Sequence, residues 1–520
     1  MSLVGKVGRR SFRSRLAMVT VYGILALGAI TTLYPFTLMV MTGFKGSTDQ
    51  NDNKLVPAFW SNLDEPDATG APAPESLLGK YLADKYAGDA SMIASTRVGS
   101  KASEDEIRQY REFLEQLPVE YWAAGFRTAA NQSTSKLTMR YQSWLRGKYP
   151  SITALNKAYI EENAAFQTVV PPSEMLERKV WKAPNSRKYR EWLEFKAALP
   201  HEFRIPVREQ RLFQEFLRSK FENQMDRVPP AVKGSATKFE AIPVVDSPLL
   251  REFRAKSLPD QYRWGAADNL WKREHRTTMP VEAYERAHVA AQQTELKREF
   301  STRNYRFVLD YILLNGRALW NTFFFVVLVI IAQLSVNTLA AYALSRYPVR
   351  ASAKILIFLL ATMAFPAEVA MIPNFLLLKD LGLLNTFAAL VLPTAASGYM
   401  IFLLKGFFDS LPQELFESGQ IDGAKETTMM TKIALPLSKP VLGYMALLAF
   451  SFAYGTFLYA FLVAQDQRVW TIMVWIYQLQ LTAPKSVMMA ALTLAALPSL
   501  IVFLFAQRVI MRGIILPGER

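Results

Sequence analysis

The chain has 520 residues, 51% of them hydrophobic and 20% charged, with a formal net charge of +15, no cysteine and three histidines. No cysteine means no disulfide, no thiolate metal site and no cysteine nucleophile, and three histidines argue against a zinc or di-iron centre. The charges are segregated. Six stretches of about 22 to 29 residues carry at most one charge each, and most of the charge lies in a block of roughly 270 residues between the first and second stretch. Crossing about 30 Å of hydrocarbon takes about 20 mostly apolar residues, so a soluble globular protein is excluded. The basic excess suits the inner edges of a membrane protein rather than nucleic-acid binding.

The first apolar run, Leu16 to Phe44, follows Lys6, Arg9, Arg10, Arg13 and Arg15. It is longer than the roughly 7–15 apolar residues of a cleaved signal and lacks a small-residue cleavage pattern, so it is read as an uncleaved helix. The second run lies between Arg317 and Arg346. The third is Ile355 to Leu378 with Glu368 inside it, and the fourth lies between Asp380 and Lys405. The fifth is Pro440 to Gln465 and the sixth Ser486 to Gln507. Arg346, Arg350 and Lys354 follow the second run, Arg508, Arg512 and Arg520 follow the sixth, and Lys379 and Asp380 cancel after the third. The positive-inside rule predicts six spans with both termini cytoplasmic and the large block outside.

That block, residues 46–303, is predicted to be a soluble, mostly helical insertion. Asp49 to Pro74 has the Pro/Asp/Asn content of a linker. Aromatic and leucine pairs then recur at helical spacing in Tyr110–Leu114, Tyr189–Leu193, Phe213–Leu217 and Leu250–Phe253, with charges on the opposite positions. Their spacing is too irregular for a solenoid. Tyr141 to Tyr159 is similar to a helical stretch of some large glycoside hydrolases, but it brings none of the paired carboxylates that glycoside hydrolysis requires. Glu161 and Glu162 read as solvated surface, and partner docking or glycan contact is the expected role.

The most informative stretch lies between the fourth and fifth runs, from Gln413 to Pro436. It resembles the EAA loop of binding-protein-dependent ABC importer permeases. Glu417, Asp422, Gly423, Ala424, Ile433, Leu435 and Pro436 stand in the family register, and Ser418 and Gly419 replace its two alanines. The residues suit such a loop. A short helix over about 413–421 presents Glu417, Gly423 permits a sharp turn, Asp422 is able to fix it by accepting backbone N–H bonds, and Thr427 to Ile433 form a second short helix. The resemblance implies that this elbow (loop 409–440) sits in a cleft of an ATPase subunit and carries its closure to the membrane helices.

Further matches are Tyr34-Pro-Phe, Asn304-Tyr305, Asn321-Thr322, Tyr342-Ala-Leu-Ser-Arg346, Leu381 to Thr386, Leu497-Pro498 and Gln507-Arg508, and they resemble the maltose-type carbohydrate subfamily. Tyr454-Gly455 and the tail from Ile514 to Arg520 depart from it. The resemblance implies an all-α membrane protein of the type I ABC importer permease fold, with six transmembrane helices and a mostly helical exported insertion between helices 1 and 2. The segments are 1–45 (tail and first span), 46–303 (insertion) and 304–520 (permease core). It also implies an inner-membrane, non-enzymatic subunit importing a sugar or oligosaccharide. The implied partners are a second, homologous permease subunit, two ABC ATPase subunits, an extracytoplasmic solute-binding protein and membrane lipid, with no nucleic acid. No Walker A pattern is present, so this chain is expected to bind no cofactor and ATP to sit on partner subunits. The rival readings are an ion-coupled secondary transporter and a membrane-anchored carbohydrate-acting protein.

Polar residues inside the apolar runs are candidates for the translocation path. Glu368 is the charge at depth and is expected to face the bundle or a wet cavity. Asn321, Asn337, Tyr454 and Tyr459 follow, with Gln333, Tyr342 and Gln478 behind them. Helix-packing bonds are the competing role for each.

Overall fold

The computed structural model describes residues 12–513 apart from 69, 90–91, 94–95, 97–101, 128–134, 164–165, 311–316, 348–349 and 365. Lys6, Arg9, Arg10 and the tail 514–520 lie outside the described residues, as do the side chains of Arg13, Arg15, Arg508 and Arg512. The chain is mostly helical. It divides into two compact units, residues 1–304 with 482–486 and residues 305–481 with 487–520.

The first unit opens with α1 (Phe12–Gly43), which ends at a tightly bonded neck. Asn304 donates through Nδ2 to the carbonyls of Gly43 (2.9 Å) and Lys45 (2.6 Å). Buried Lys45 pairs with Asp52, and buried Lys80 pairs with Asp49 at 2.6 Å. The two ends of the 46–303 segment therefore meet at one place.

Between those ends lie α2 (Leu77–Lys85), α3 (Glu104–Gln116), α4 (Lys136–Lys148), α5 (Ile152–Tyr159), α6 (Arg187–Ala197), α7 (Glu209–Lys220), α8 (Pro248–Lys256), α9 (Ala267–His275), α10 (Val281–Ala291) and α11 (Gln293–Leu309). Helices α2 to α6 and α8 each start at a serine whose side chain accepts the backbone N–H three residues on. Such a cap supplies a partner for one of the orphan donors at a helix start. For α3 it is a full capping box with Glu106. The recurrent aromatic and leucine residues form the buried faces: Tyr110 and Leu114 on α3, Tyr189, Trp192 and Phe195 on α6, Phe213 and Leu217 on α7, Leu250 and Phe253 on α8.

The recurrence runs further than the helices. After α3, α6 and α8 the chain reads Leu117-Pro118, Leu199-Pro200 and Leu258-Pro259, and each proline opens a 3₁₀ turn, Val119–Tyr121, His201–Phe203 and Asp260–Tyr262. Two of these turns lead into β1 (Trp122–Ala124) and β2 (Arg204–Pro206), which pair antiparallel. The all-α expectation is corrected by this small sheet. A proline cannot continue the helix, and it delivers extended backbone from two repeats side by side.

Charges are buried in pairs in this unit. Lys85 meets Glu285 at 2.5 Å and Lys196 meets Glu174 at 2.9 Å, all four nearly inaccessible. Glu161, read as solvated surface, lies past the end of α5 and pairs with Lys188 at 2.7 Å. Burial opposes ionisation of Glu202, but His288 and Lys136, each at 3.4 Å, outweigh it and hold the carboxyl down at about 2. A depressed carboxyl stabilises the fold above its unfolded value of 4.5, and that contribution fades as pH falls from there toward 2. The urea midpoint of the full chain is expected to drop over that window by the equivalent of about 2–3 kcal/mol. Glu202→Gln should flatten that part of the profile, and an unchanged profile would refute the assignment.

The second unit contains α12 (Ala318–Arg346), α13 (Ser352–Ala361), α14 (Ala367–Asp380), α15 (Phe387–Val391), α16 (Gly398–Asp409), α17 (Glu414–Ile421), α18 (Glu426–Met429), α19 (Lys439–Gly455), α20 (Leu458–Val463), α21 (Ile472–Gln480) and most of α22 (Lys485–Gly513). Among the described residues of the chain, Met18–Gly43, Ala318–Arg346 and Lys485–Gln507 are long and apolar enough to cross a membrane. The third and fourth expected spans are bent pairs rather than straight rods, a further bent pair joins Glu426–Leu437 to the start of the fifth, and the total reaches six only if each pair counts as one crossing. Pro366 caps α14 in an extended conformation and breaks the third. A 3₁₀ turn at Leu392–Thr394 and extended Ser397 break the fourth, with a bend of 51°. The helical stretch Glu426–Leu437 meets α19 at 80°, and α19 stops at Gly455 instead of running to Gln465.

Candidate functional site: the elbow before α19

α17 starts just beyond Leu411-Pro412, and its first turn carries Glu414 and Glu417. Gln413 donates to the Glu417 carboxylate at 2.8 Å. The helix ends in a Schellman motif: Gly423 N–H reaches the Gln420 carbonyl (3.0 Å) and Ala424 N–H reaches that of Gly419 (2.9 Å). Gly423 takes φ +74°, a conformation costing an L side chain roughly 1–2 kcal/mol. The reading of Asp422 is corrected here. It occupies the C-cap, and its carboxylate has no hydrogen-bond partner among the described residues. Backbone bonds close the turn and leave that carboxylate exposed.

α18 follows and widens into a π turn over Met430–Ala434, ahead of Pro436. Pro436 lacks an N–H and its ring crowds the carbonyl four residues back, so a wider turn relieves a clash that a regular helix would suffer. Gly419 lies 3.4 Å (from an ideal Cβ position) from Ile433, so the two short helices nearly touch there. The elbow thus has two faces. Phe416, Met429 and Ala434 are buried with Tyr342, Leu404, Phe408 and Met445. Glu417, Ser418, Asp422, Gly423 and Pro436 are exposed, Ala424, Ile433 and Leu435 half-buried, and Ile421 stands 87% exposed at the tip.

Two side chains on one face of α12, four residues apart, clamp the elbow. Tyr342 donates to Glu426 at 3.1 Å. Arg346 lays its guanidinium 3.6 Å from the Phe416 ring centroid and donates to the Phe408 carbonyl at 2.6 Å. The neighbouring Ser345 donates to Asp409, which also pairs with Lys405. Tyr342 and Arg346 entered the sequence analysis as a path candidate and a topology signal. Their i, i+4 spacing beside a helix end was the available sign of a shared task, whereas nothing local marked Glu426 or Phe416 as the targets.

The path candidates are largely occupied with backbone. Gln333 donates to the Thr394 carbonyl (2.9 Å). Asn337 donates to Gln333 and Ala395 and accepts from Ser397 N–H at 2.8 Å. These bonds satisfy backbone groups freed where the fourth span breaks, which apolar surroundings cannot do. Asn321 donates to the carbonyls of Arg468 and Trp470, Tyr454 to Ala495 and Tyr459 to Ala389. Glu368 lies in the first turn of α14 beside the break, where the helix dipole favours a carboxylate, and it is exposed rather than packed into the bundle of this chain. Gln478 is half-buried on α21.

The second unit thus combines apolar helices long enough to cross a membrane with an exposed two-helix elbow whose inner face is clamped by α12. Residues 300–516 match the family described as binding-protein-dependent transport system inner membrane component. The chain is 31% identical over 205 residues to the sn-glycerol-3-phosphate transport system permease protein UgpE of Rhizobium meliloti (strain 1021), covering 38% of this chain and 72% of that one. It is 30% identical over 234 residues to the polygalacturonan/rhamnogalacturonan transport system permease protein YtcP of Bacillus subtilis (strain 168), covering 42% and 81%. A chain in the crystal structure of a bacterial ABC transporter involved in the import of the acidic polysaccharide alginate is 25% identical, covers 39% and 78%, and superposes with a TM-score of 0.36, too low to bear on the fold. The chain belongs to the family of binding-protein-dependent transport permeases, multi-pass proteins of the inner membrane.

Proposed function

We propose that this chain is the permease subunit of an ATP-driven importer for a carbohydrate-class solute and that the elbow from Gln413 to Pro436 receives the power stroke of a separate ATPase. The observation that carries this reading is the two-faced elbow: its apolar face is sealed onto α12, α16 and α19, while Glu417, Ile421 and Asp422 stand exposed to a partner. The named relatives are permease proteins of transport systems for sn-glycerol-3-phosphate and for polygalacturonan/rhamnogalacturonan, which supports a hydroxyl-rich solute. One copy supplies at most six crossings, so a second, homologous permease completes the pore, two ATPase subunits bind ATP, and an extracytoplasmic receptor delivers the solute. Both termini are placed in the cytoplasm and residues 46–303 outside, following the basic residues after the second and sixth spans. Asn321, Asn337, Tyr454 and Tyr459 act as the glue of the broken helices, which leaves Glu368 as the open polar candidate for solute or for the partner permease.

The test uses the assembled transporter. Ile421→Cys is expected to cross-link to the ATPase subunit, and Glu417→Lys to cut nucleotide-driven import at least about tenfold with normal amounts of the chain in the membrane. Undiminished import by Glu417→Lys, together with no cross-link, would remove the proposal.

A further inference from the structure

The three tryptophans on which the inserted unit's cores are built, Trp122, Trp192 and Trp271, are fully buried, yet Trp264 is 83% exposed. It forms part of the wall of an open cleft of about 630 Å³ that Arg254, Asn269, Lys272 and Arg273 also line. The wall is held from beneath. Leu258 and Tyr262 are buried in the core, and Tyr262 donates its hydroxyl to the Glu120 carbonyl at 2.9 Å. Gly265 N–H returns to the Tyr262 carbonyl, and at φ +120° any Cβ on Gly265 would stand 3.0 Å from Asn269 Cβ. Arg273 clamps the turn by donating to the Trp264 carbonyl at 2.7 Å. On the floor, buried Glu209 spends one oxygen on Arg254 and the other on Asn269, each at 2.6 Å, so both side chains are held in place. Lys272 has no partner among the described residues, and Arg273 meets no carboxylate.

We propose that this cleft binds acidic sugar residues, a uronate-bearing oligosaccharide, with Trp264 as the stacking platform and Lys272 and Arg273 as the carboxylate receptors. A flat indole covers the C–H face of a sugar ring, fixed amide and guanidinium donors take its hydroxyls, and uncompensated cations select a carboxylate over a neutral sugar. Of the four cations lining the cleft, Arg254 pairs with Glu209 and Arg263 with Asp260 at 2.9 Å, which leaves Lys272 and Arg273 without a carboxylate partner. An anionic membrane surface is the other anion that an exposed tryptophan among cations suits. It is disfavoured because Trp264 has no large exposed apolar companion in the cleft, Leu258 and Tyr262 being buried and Ala255 small, and because the site is concave. This site is separate from the elbow and from solute translocation. It rests on the placement of residues 46–303 outside the membrane only for where the glycan is met.

The full chain in nanodiscs of neutral lipid is titrated with tetragalacturonate, maltotetraose and sodium acetate, and binding is read by saturation-transfer NMR. Tetragalacturonate is expected to bind about tenfold more tightly than maltotetraose and to weaken with added salt. Trp264→Ala and Lys272→Glu, both surface changes, should each reduce its affinity about tenfold. Equal binding of the neutral sugar, unchanged affinity in both variants, or displacement by acetate at matched carboxylate concentration would overturn the proposal. So would Trp264-dependent capture of the nanodiscs by phosphatidylglycerol vesicles without uronate binding.

Discussion

Arg346→Ala is expected to reduce nucleotide-driven import at least about tenfold while leaving the chain in the membrane at normal levels. Its guanidinium is the joint between α12 and the elbow, stacked on Phe416 and bonded to the Phe408 carbonyl. A partly desolvated cation–π contact contributes about 1–2 kcal/mol, and a hydrogen bond from a charged donor about 1.5–3 kcal/mol. Losing both removes most of the preference for the seated elbow, and a lever that slips in its socket transmits little of an applied displacement. Arg346→Lys should fall between the variant and the native chain, because an ammonium keeps the charge and loses the planar stack. ATP hydrolysis by the assembled complex should continue without its coupling to solute. Native import rates in Arg346→Ala would show that the elbow is held by Tyr342 and the apolar face alone.

Glu174→Ala is expected to lower the thermal midpoint of the inserted unit by about 10 °C. Lys196 is wholly inaccessible, with Glu174 at 2.9 Å, the Val119 carbonyl at 2.8 Å and the Trp122 ring 4.7 Å away. Burial lowers the affinity of the Lys196 ammonium for its proton and the pull of Glu174 opposes this. Removing one partner of a buried pair typically costs about 3–5 kcal/mol, because the other charge stays in a medium that cannot solvate it. At roughly 2–4 °C per kcal/mol for a unit of this size, the shift is readily seen in tryptophan fluorescence of the full chain. Pairing the change with Lys196→Met should recover most of the loss. If the double variant is no better than Glu174→Ala, the damage lies instead in Arg127, which the same carboxylate holds at 3.4 Å.

The sequence carried the helical content of both units and the location of the elbow, because those features are written in local patterns. Aromatic–leucine spacing marked the buried faces of α3, α6, α7 and α8, and the glycine at 423 marked a left-handed turn. What escaped was set by partners far along the chain. The bend in the fourth crossing depends on Gln333 and Asn337 of α12 accommodating the opened backbone about 60 residues later. An Asn or Gln in an apolar run reads equally well as a pore lining or as such a brace. The Leu-Pro turns after α3, α6 and α8 were visible as dipeptides, but only the pairing of β1 with β2 and the Tyr262–Glu120 bond make them one design. Asp422 misled because Asp-Gly commonly closes its turn through the carboxylate, and here the backbone closes it unaided.

The neck bonded through Asn304 has an architectural corollary. Because one amide side chain touches both Gly43 and Lys45, the path out of the first crossing and the path back lie within a few ångströms of each other. More than 250 residues can therefore be viewed as a cassette spliced into a tight hairpin, gained or lost without prising apart the stretches of chain that flank it. Cutting it out and rejoining the stubs with two or three small residues would restore a short hairpin, and whatever capability the cassette confers could be moved to a related transporter through the same narrow attachment.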